Sequence, residues 1–251
     1  MSFDWNIILY VIFGLIPSLT WLFYYLRKDV HPEPNRMIVK IFLWGCLITV
    51  PVFFVQLAAN ALLQKFPLLP APIESILYWF AIIAFSEELF KYIVVRFKVI
   101  GSPELDEPLD VMLYMVIAAL GFTAVENVLY IFVPAGQLSF ADIINRTLML
   151  SFVRFVGATF LHTLCSAVVG YSLAIGLCKI KGRKIFTIAG LFLATLLHGL
   201  YDFSIIALEG NLKIIAPITI LIVLAVLTSI GFEKLKELKS MCSLKSLWQT
   251  K

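Results

Sequence analysis

The amino-acid sequence predicts an all-α protein: a polytopic transmembrane helical bundle of about seven spans, with the N-terminus outside and the C-terminus inside. Three observations predict it. The chain of 251 residues is 61% hydrophobic and only 14% charged, with a mean hydropathy of +0.96, more apolar than a soluble core of this length can hide. Its apolar residues gather into runs of about 20, the length that crosses a hydrocarbon layer about 30 Å thick. Its connecting segments alternate between rich and poor in Lys and Arg, the pattern left when basic residues are retained in the cytoplasm. The chain is therefore expected in the cell membrane as a multi-pass protein with the lipid bilayer as its solvent. The net charge of +4 is small and scattered, which gives no nucleic-acid footprint.

The expected spans are about 6–26, 38–63, 74–95, 110–134, 152–178, 184–208 and 212–232. The first follows MSFDWN, which carries Asp4 and no Lys or Arg; its apolar run exceeds the core of a signal peptide and is read as a retained helix. The turn HPEPN after it holds prolines that stop a helix. The stretch 140–151, FADIINRTLMLS, reads as an interfacial turn of helix leading into the fifth span. Arg27, Lys28, Arg36 and Lys40 follow span one, Arg96 and Lys98 follow span three, and Lys179, Lys181, Arg183 and Lys184 follow span five. The other side has only Lys65, Arg146 and Lys213. Residues 1–232 thus form one membrane-embedded domain. Residues 233–251, which alternate lysines with Leu, Met and Trp, form a basic amphipathic cytoplasmic tail suited to an anionic leaflet. Cys46, Cys165, Cys178 and Cys242 show no paired spacing, so neither a disulfide framework nor a cysteine zinc site is expected.

Ionisable groups at bilayer depth cost several kcal/mol each, so they mark function or a compensating partner. Span three carries Glu87, Glu88 and Lys91; span four carries Glu126 and Asn127; span five carries Arg154 and His162; span six carries His198 and Asp202. Glu87 and Lys91 are four apart, as are His198 and Asp202, while Arg154 and His162 fall eight apart on a stripe through Ala158. Gly157, Ser166 and Gly170 are small enough for close helix approach. One such ion pair would be structural as readily as catalytic. Several acids beside two imidazoles on different helices point to chemistry.

A buried glutamate and an imidazole can activate a water for amide hydrolysis. A second histidine or the Asn127 amide can serve the oxyanion, and Asp202 can fix the tautomer of His198. Lys91, Arg154 and Tyr130 are supporting residues. The same atoms offer a metal alternative, Glu88 with His162 and His198 around zinc, although no HExxH helix is present. Rivals from other classes are a proton-coupled transporter, against which no inverted repeat is visible, and a non-catalytic membrane scaffold.

These motifs resemble the PrsW family of intramembrane proteases, related to the CAAX prenyl endopeptidase and bacteriocin-processing superfamily. The matching pieces are Glu87-Glu88-x-x-Lys91, the segment EPLDVMLYMVIAALGFTAVENVLY with Glu126-Asn127, the His162 helix and His198-x-x-x-Asp202. The resemblance implies an endopeptidase whose catalytic pair is Glu87 and Glu88, with His162 and His198 as essential histidines. It also implies a membrane-protein substrate, the best-known type being a single-span anti-sigma factor cut first, at site 1, near the outer face to release a stress response. Members have been classed as metallopeptidases, while the prenyl endopeptidase resembles a metal-free glutamate enzyme; the glutamate mechanism without cofactor is favoured here and zinc is the alternative. Lys91, where an arginine one position later would complete EExxxR, and Ala158, where that enzyme has Phe, turn the reading away from prenylated substrates.

Overall fold

The structure, a computed structural model, describes residues 6–29, 31–65, 69–132, 139–179, 183–238 and 242. The described residues are helical with no strand. They form α1 (Asn6–Leu26), α2 (Asn35–Leu63), α3 (Ala71–Ile76), a π-helical stretch (Leu77–Ala84), α4 (Phe85–Lys98), α5 (Pro108–Ile131), α6 (Phe140–Val156), α7 (Ala158–Cys178), α8 (Arg183–Ala207) and α9 (Leu212–Leu238). Six helical segments are long and apolar enough to cross a membrane, α6 and α7 counting together. The expected third span is the composite rod of α3, the π-helical stretch and α4. The protein is a multi-pass helical membrane protein.

The bundle is organised around α5. Between Asp110 and Thr123 this helix is apolar on all sides, which suits complete burial, and it packs against α1, α2, α4, α7 and α9. Its contact with α2 is so close that a Cβ on Gly121 would sit 2.0 Å from the Phe42 carbonyl oxygen, and one on Gly45 would sit 2.2 Å from that of Ala118. Lipid offers no hydrophobic force to drive helices together, so close backbone packing at small residues supplies the attraction instead. Gly170 of α7 approaches α5 in the same way, at Met112. On the outside, Phe54, Phe97, Ile185 and Phe192 are exposed, as lipid-facing residues should be.

Two boundaries differ from expectation. The stretch 140–151 is part of a full helix, α6, and the chain breaks at Gly157, whose φ of −96° and ψ of −95° leave the helical region. Arg154 and His162 therefore lie on either side of a break rather than on one continuous stripe. The cause is packing, since a Cβ at residue 157 would meet Tyr201 Oη of α8 at 2.6 Å. In the third span, the π-helical stretch runs into α4 immediately before the acids; such stretches are frequent at functional sites.

At the other end, the turn after α1 is anchored to α5. Tyr114 donates to Glu33, and Asp110 Oδ2 accepts from the backbone N–H groups of Asp106 and Glu107 at 3.1 and 2.8 Å. Burial pushes the Glu33 carboxyl above its usual range, with Asp29 and Asp106 adding repulsion and the Tyr114 bond opposing it. The expectation of unpaired cysteines is corrected: Cys178, at the end of α7, is bonded to Cys242, 64 residues later. Helices α7 and α9 pack together and finish at the same end of the bundle, a proximity that spacing along the chain cannot reveal. The remaining expected tail, 239–241 and 243–251, lies outside the described residues.

Candidate active site

The helices bring the sequence-selected groups to one place. Glu87, Glu88, Lys91, His162 and His198 are all buried. Adjacent residues on a helix point about 100° apart, so Glu87 and Glu88 meet different partners. Glu88 is partnered at both oxygens: Oε1 accepts from Lys91 Nζ at 2.9 Å and pairs with His198 Nδ1 at 3.0 Å, while Oε2 accepts from Ser166 Oγ at 3.2 Å. Glu87 is not. Its Oε1 accepts from Gln56 Nε2 at 3.1 Å, but its buried Oε2 has no hydrogen-bond partner. That oxygen faces both imidazoles, 3.5 Å from His162 Nδ1 and 4.0 Å from His198 Nε2.

Lys91 is paired more closely with Glu88 than with Glu87, at 2.9 against 3.6 Å, so its expected four-residue partner is the longer contact. Its ammonium also donates to His162 Nδ1 at 2.6 Å. Nε2 of that imidazole must then carry the proton, and it faces Glu126 Oε2 at 3.1 Å. His198 is held from both ends, by Glu88 and by Asp202 Oδ2, which is 3.3 Å from Nε2. The two rings stand 4.7 Å apart and nearly perpendicular.

A second network comes from α5 and α6. Arg154 Nη2 donates to Glu126 Oε2 at 2.8 Å, Arg154 Nε donates to Asn127 Oδ1, and the Asn127 amide donates to Thr159 Oγ1 at 3.0 Å. The Arg154 guanidinium also lies 4.1 Å over the Tyr130 ring. Asn127 is thus committed behind Arg154 and outside the cavity wall.

The groups open onto a cavity of about 490 Å³ whose wall includes Glu126, Arg154, His162, His198 and Asp202. Much of the remaining wall is apolar or aromatic, including Phe53, Trp79, Phe122 and Tyr130. Glu87 lies just behind the imidazoles, and its partner Gln56 reaches the wall. Gln56 is a residue that sequence reading missed; a glutamine within the apolar run VFFVQLAA was the available signal. One ligand atom each from Glu87, His162 and His198 falls within 4.8 Å of the others. The expected zinc alternative named Glu88 with the two histidines; the three donor atoms that lie together are those of Glu87, His162 and His198, while Glu88 is engaged by Lys91, His198 and Ser166.

Fold and site together define a multi-pass membrane protein that encloses an acid and imidazole centre between its helices. Residues 33–230 match the family model described as PrsW family intramembrane metalloprotease. The chain is 30% identical over 199 residues to Protease PrsW of Geobacillus kaustophilus, covering 78% of this chain and 79% of that protein. It is 30% identical over 216 residues to Protease PrsW of Clostridioides difficile, covering 84% of each. With Protease PrsW of Bacillus subtilis it shares 27% over 206 residues, 81% of this chain and 86% of that one. No solved structure matches the chain. The chain belongs to the PrsW family, as its motifs led us to expect.

Proposed function

We propose that this protein is an intramembrane endopeptidase that makes the first cut in a single-span membrane protein such as an anti-sigma factor, with Glu87 as the base. One observation carries the reading: a buried carboxylate oxygen lacks a hydrogen-bond partner and faces two imidazoles beside a cavity. A buried carboxylate oxygen with no hydrogen bond, compensated only by the Lys91 ammonium at 3.6 Å, keeps a lone pair with which to take a proton. Family membership and the Protease PrsW name of the relatives support the same class.

In the proposed hydrolysis, Glu87 Oε2 takes a proton from water as the water oxygen bonds to the amide carbonyl carbon. The developing oxyanion accepts from Arg154 at the cavity wall, while His198 stays held between Glu88 and Asp202. When the C–N bond breaks, the proton held by Glu87 passes to the leaving nitrogen. Glu88 orients Lys91 and His198, and Asn127 orients Arg154. The apolar wall suits a substrate drawn from lipid. Gln56, Tyr130 and Asp202 lie in the outward ends of their spans if the N-terminus is outside, which supports entry near the outer face.

A zinc mechanism is the second reading, favoured by the same orphaned oxygen and by the donor chemistry. Glu87, His162 and His198 would hold the ion, which when bound supplies Lewis-acid polarisation and a more acidic water. Against it stands Lys91, whose ammonium lies 2.6 Å from His162 Nδ1 and 3.6 Å from Glu87 Oε2. A cation already adjoins two of the three donors.

The test is reconstitution of the full chain with a single-span anti-sigma factor, mapping of the cut bond, and metal analysis of the same protein. A cut near the outer face that survives chelation supports the glutamate mechanism. One zinc per chain, with activity lost on chelation and restored by zinc, supports the second reading. Ion flux without cleavage supports transport and ends the peptidase proposal.

A further inference from the structure

A second cavity, of about 440 Å³, lies away from the acid and imidazole centre, between α1, α7 and α9. Its floor is aromatic. Trp21 stacks on Phe160 at 4.4 Å and on Phe155 at 5.3 Å, and Phe232 adjoins Tyr25 at 5.7 Å on the α9 side. Its mouth carries a cation: Lys28 is exposed with its ammonium 5.0 Å from the Tyr24 ring centroid, Arg27 precedes it and Asp29 follows it in sequence, and the carboxylate that lines the cleft, Glu233, is engaged by Lys236 at 2.9 Å. Between mouth and floor stands Thr228, 4% exposed, whose buried hydroxyl has no hydrogen-bond partner although it lines the cleft.

We propose that this cleft is a binding site for an anionic glycerophospholipid, with phosphate at Lys28, an ester carbonyl accepting from Thr228 and an acyl chain laid against Trp21 and Phe160. The depths agree. Thr228 lies five residues before Glu233 on α9, about 7.5 Å below the mouth, and the interfacial layer between phosphate and hydrocarbon is roughly 5–7 Å thick. The width selects a chain-like occupant, because three turns of a helix about 10 Å across would need roughly 1,200 Å³. The positive mouth selects a negative headgroup.

The site adjoins the catalytic machinery through one bond. Trp21 Nε1 donates to the Phe155 carbonyl at 3.0 Å, an oxygen that an unbroken helix would have satisfied through Thr159 and that the break at Gly157 sets free. The lipid therefore lies against the residue that caps the break between Arg154 and His162. The proposal rests on the membrane placement of the chain and not on its peptidase reading.

The experiment uses the full chain in vesicles containing increasing fractions of a phosphatidylglycerol with brominated acyl chains, which quench a tryptophan on contact. The Trp21 signal is the difference between wild type and Trp21→Phe. It should saturate at a bromolipid fraction several-fold below that required by the other tryptophans, and Lys28→Glu or Thr228→Val should shift that saturation upward several-fold. Quenching of Trp21 in simple proportion to bromolipid, unaffected by either substitution, would mean ordinary annular lipid and overturn the proposal. No quenching, with cross-linking of Thr20→Cys between copies, would instead place a second chain over the cleft and overturn it too. Circular dichroism of each variant confirms that the helices are intact.

Discussion

Glu87 and Glu88 are neighbours in sequence, but only Glu87 keeps an oxygen without a hydrogen-bond partner, while Glu88 is bound by Lys91, His198 and Ser166. The backbone separates their surroundings: Glu88 is held by three partners, and Glu87 keeps the oxygen on which the proposed base rests.

Glu88→Gln should therefore act first on stability. It removes the closer charge partner of a fully buried lysine, a change worth about 3 kcal/mol in other proteins. Thermal unfolding in detergent should show a lowered Tm, with a smaller drop for Glu87→Gln. Equal drops would contradict the division of roles.

Arg154→Lys tests the bracing of the cavity wall. A lysine keeps the charge but cannot engage Glu126 and Asn127 together through a planar fork. We expect kcat to fall roughly 10- to 100-fold with KM little changed, and Asn127→Ala to resemble it. An unchanged kcat would remove Arg154 from the mechanism.

Packing between α2 and α5 makes a prediction unconnected with catalysis. Gly121→Ala puts a methyl group 2.0 Å from the Phe42 carbonyl oxygen, where backbone must yield. The loss should be about 3 kcal/mol, read as a lowered Tm, whereas Gly210→Ala meets no neighbouring atom and strains only its own positive φ of 60°.

The Glu33 anchor is sensitive to pH. Burial raises its carboxyl above the ordinary value, so the folded state holds the proton more tightly than the unfolded chain. Its contribution is complete below the unfolded pKa of about 4.3 and is lost as pH rises through the higher folded value. Glu33→Gln should abolish that part of the decline in a Tm series against pH; an identical decline in both proteins would refute the assignment.

Much of this arrangement was legible in the sequence because lipid leaves ionisable residues few excuses: Glu87, Glu88, Glu126, His162 and His198 stand out in apolar runs. The end of span one was equally plain from charge and proline. The break at Gly157 was not, because glycine in a membrane helix serves close packing as readily as interruption, and only the position of Tyr201 decides. Nor could spacing distinguish Glu87 from Glu88, since Ser166 and Gln56, which decide it, arrive from α7 and α2. The pairing of Cys178 with Cys242 likewise depends on which helices end together.

The central claim is that Glu87 supplies the base, and the most direct measurement is single-turnover cleavage of a mapped substrate by Glu87→Gln in vesicles, with its Tm recorded alongside. The account predicts a fall in rate of about 10²- to 10⁴-fold in a protein that remains folded. Cleavage at the wild-type rate by that folded variant would contradict it.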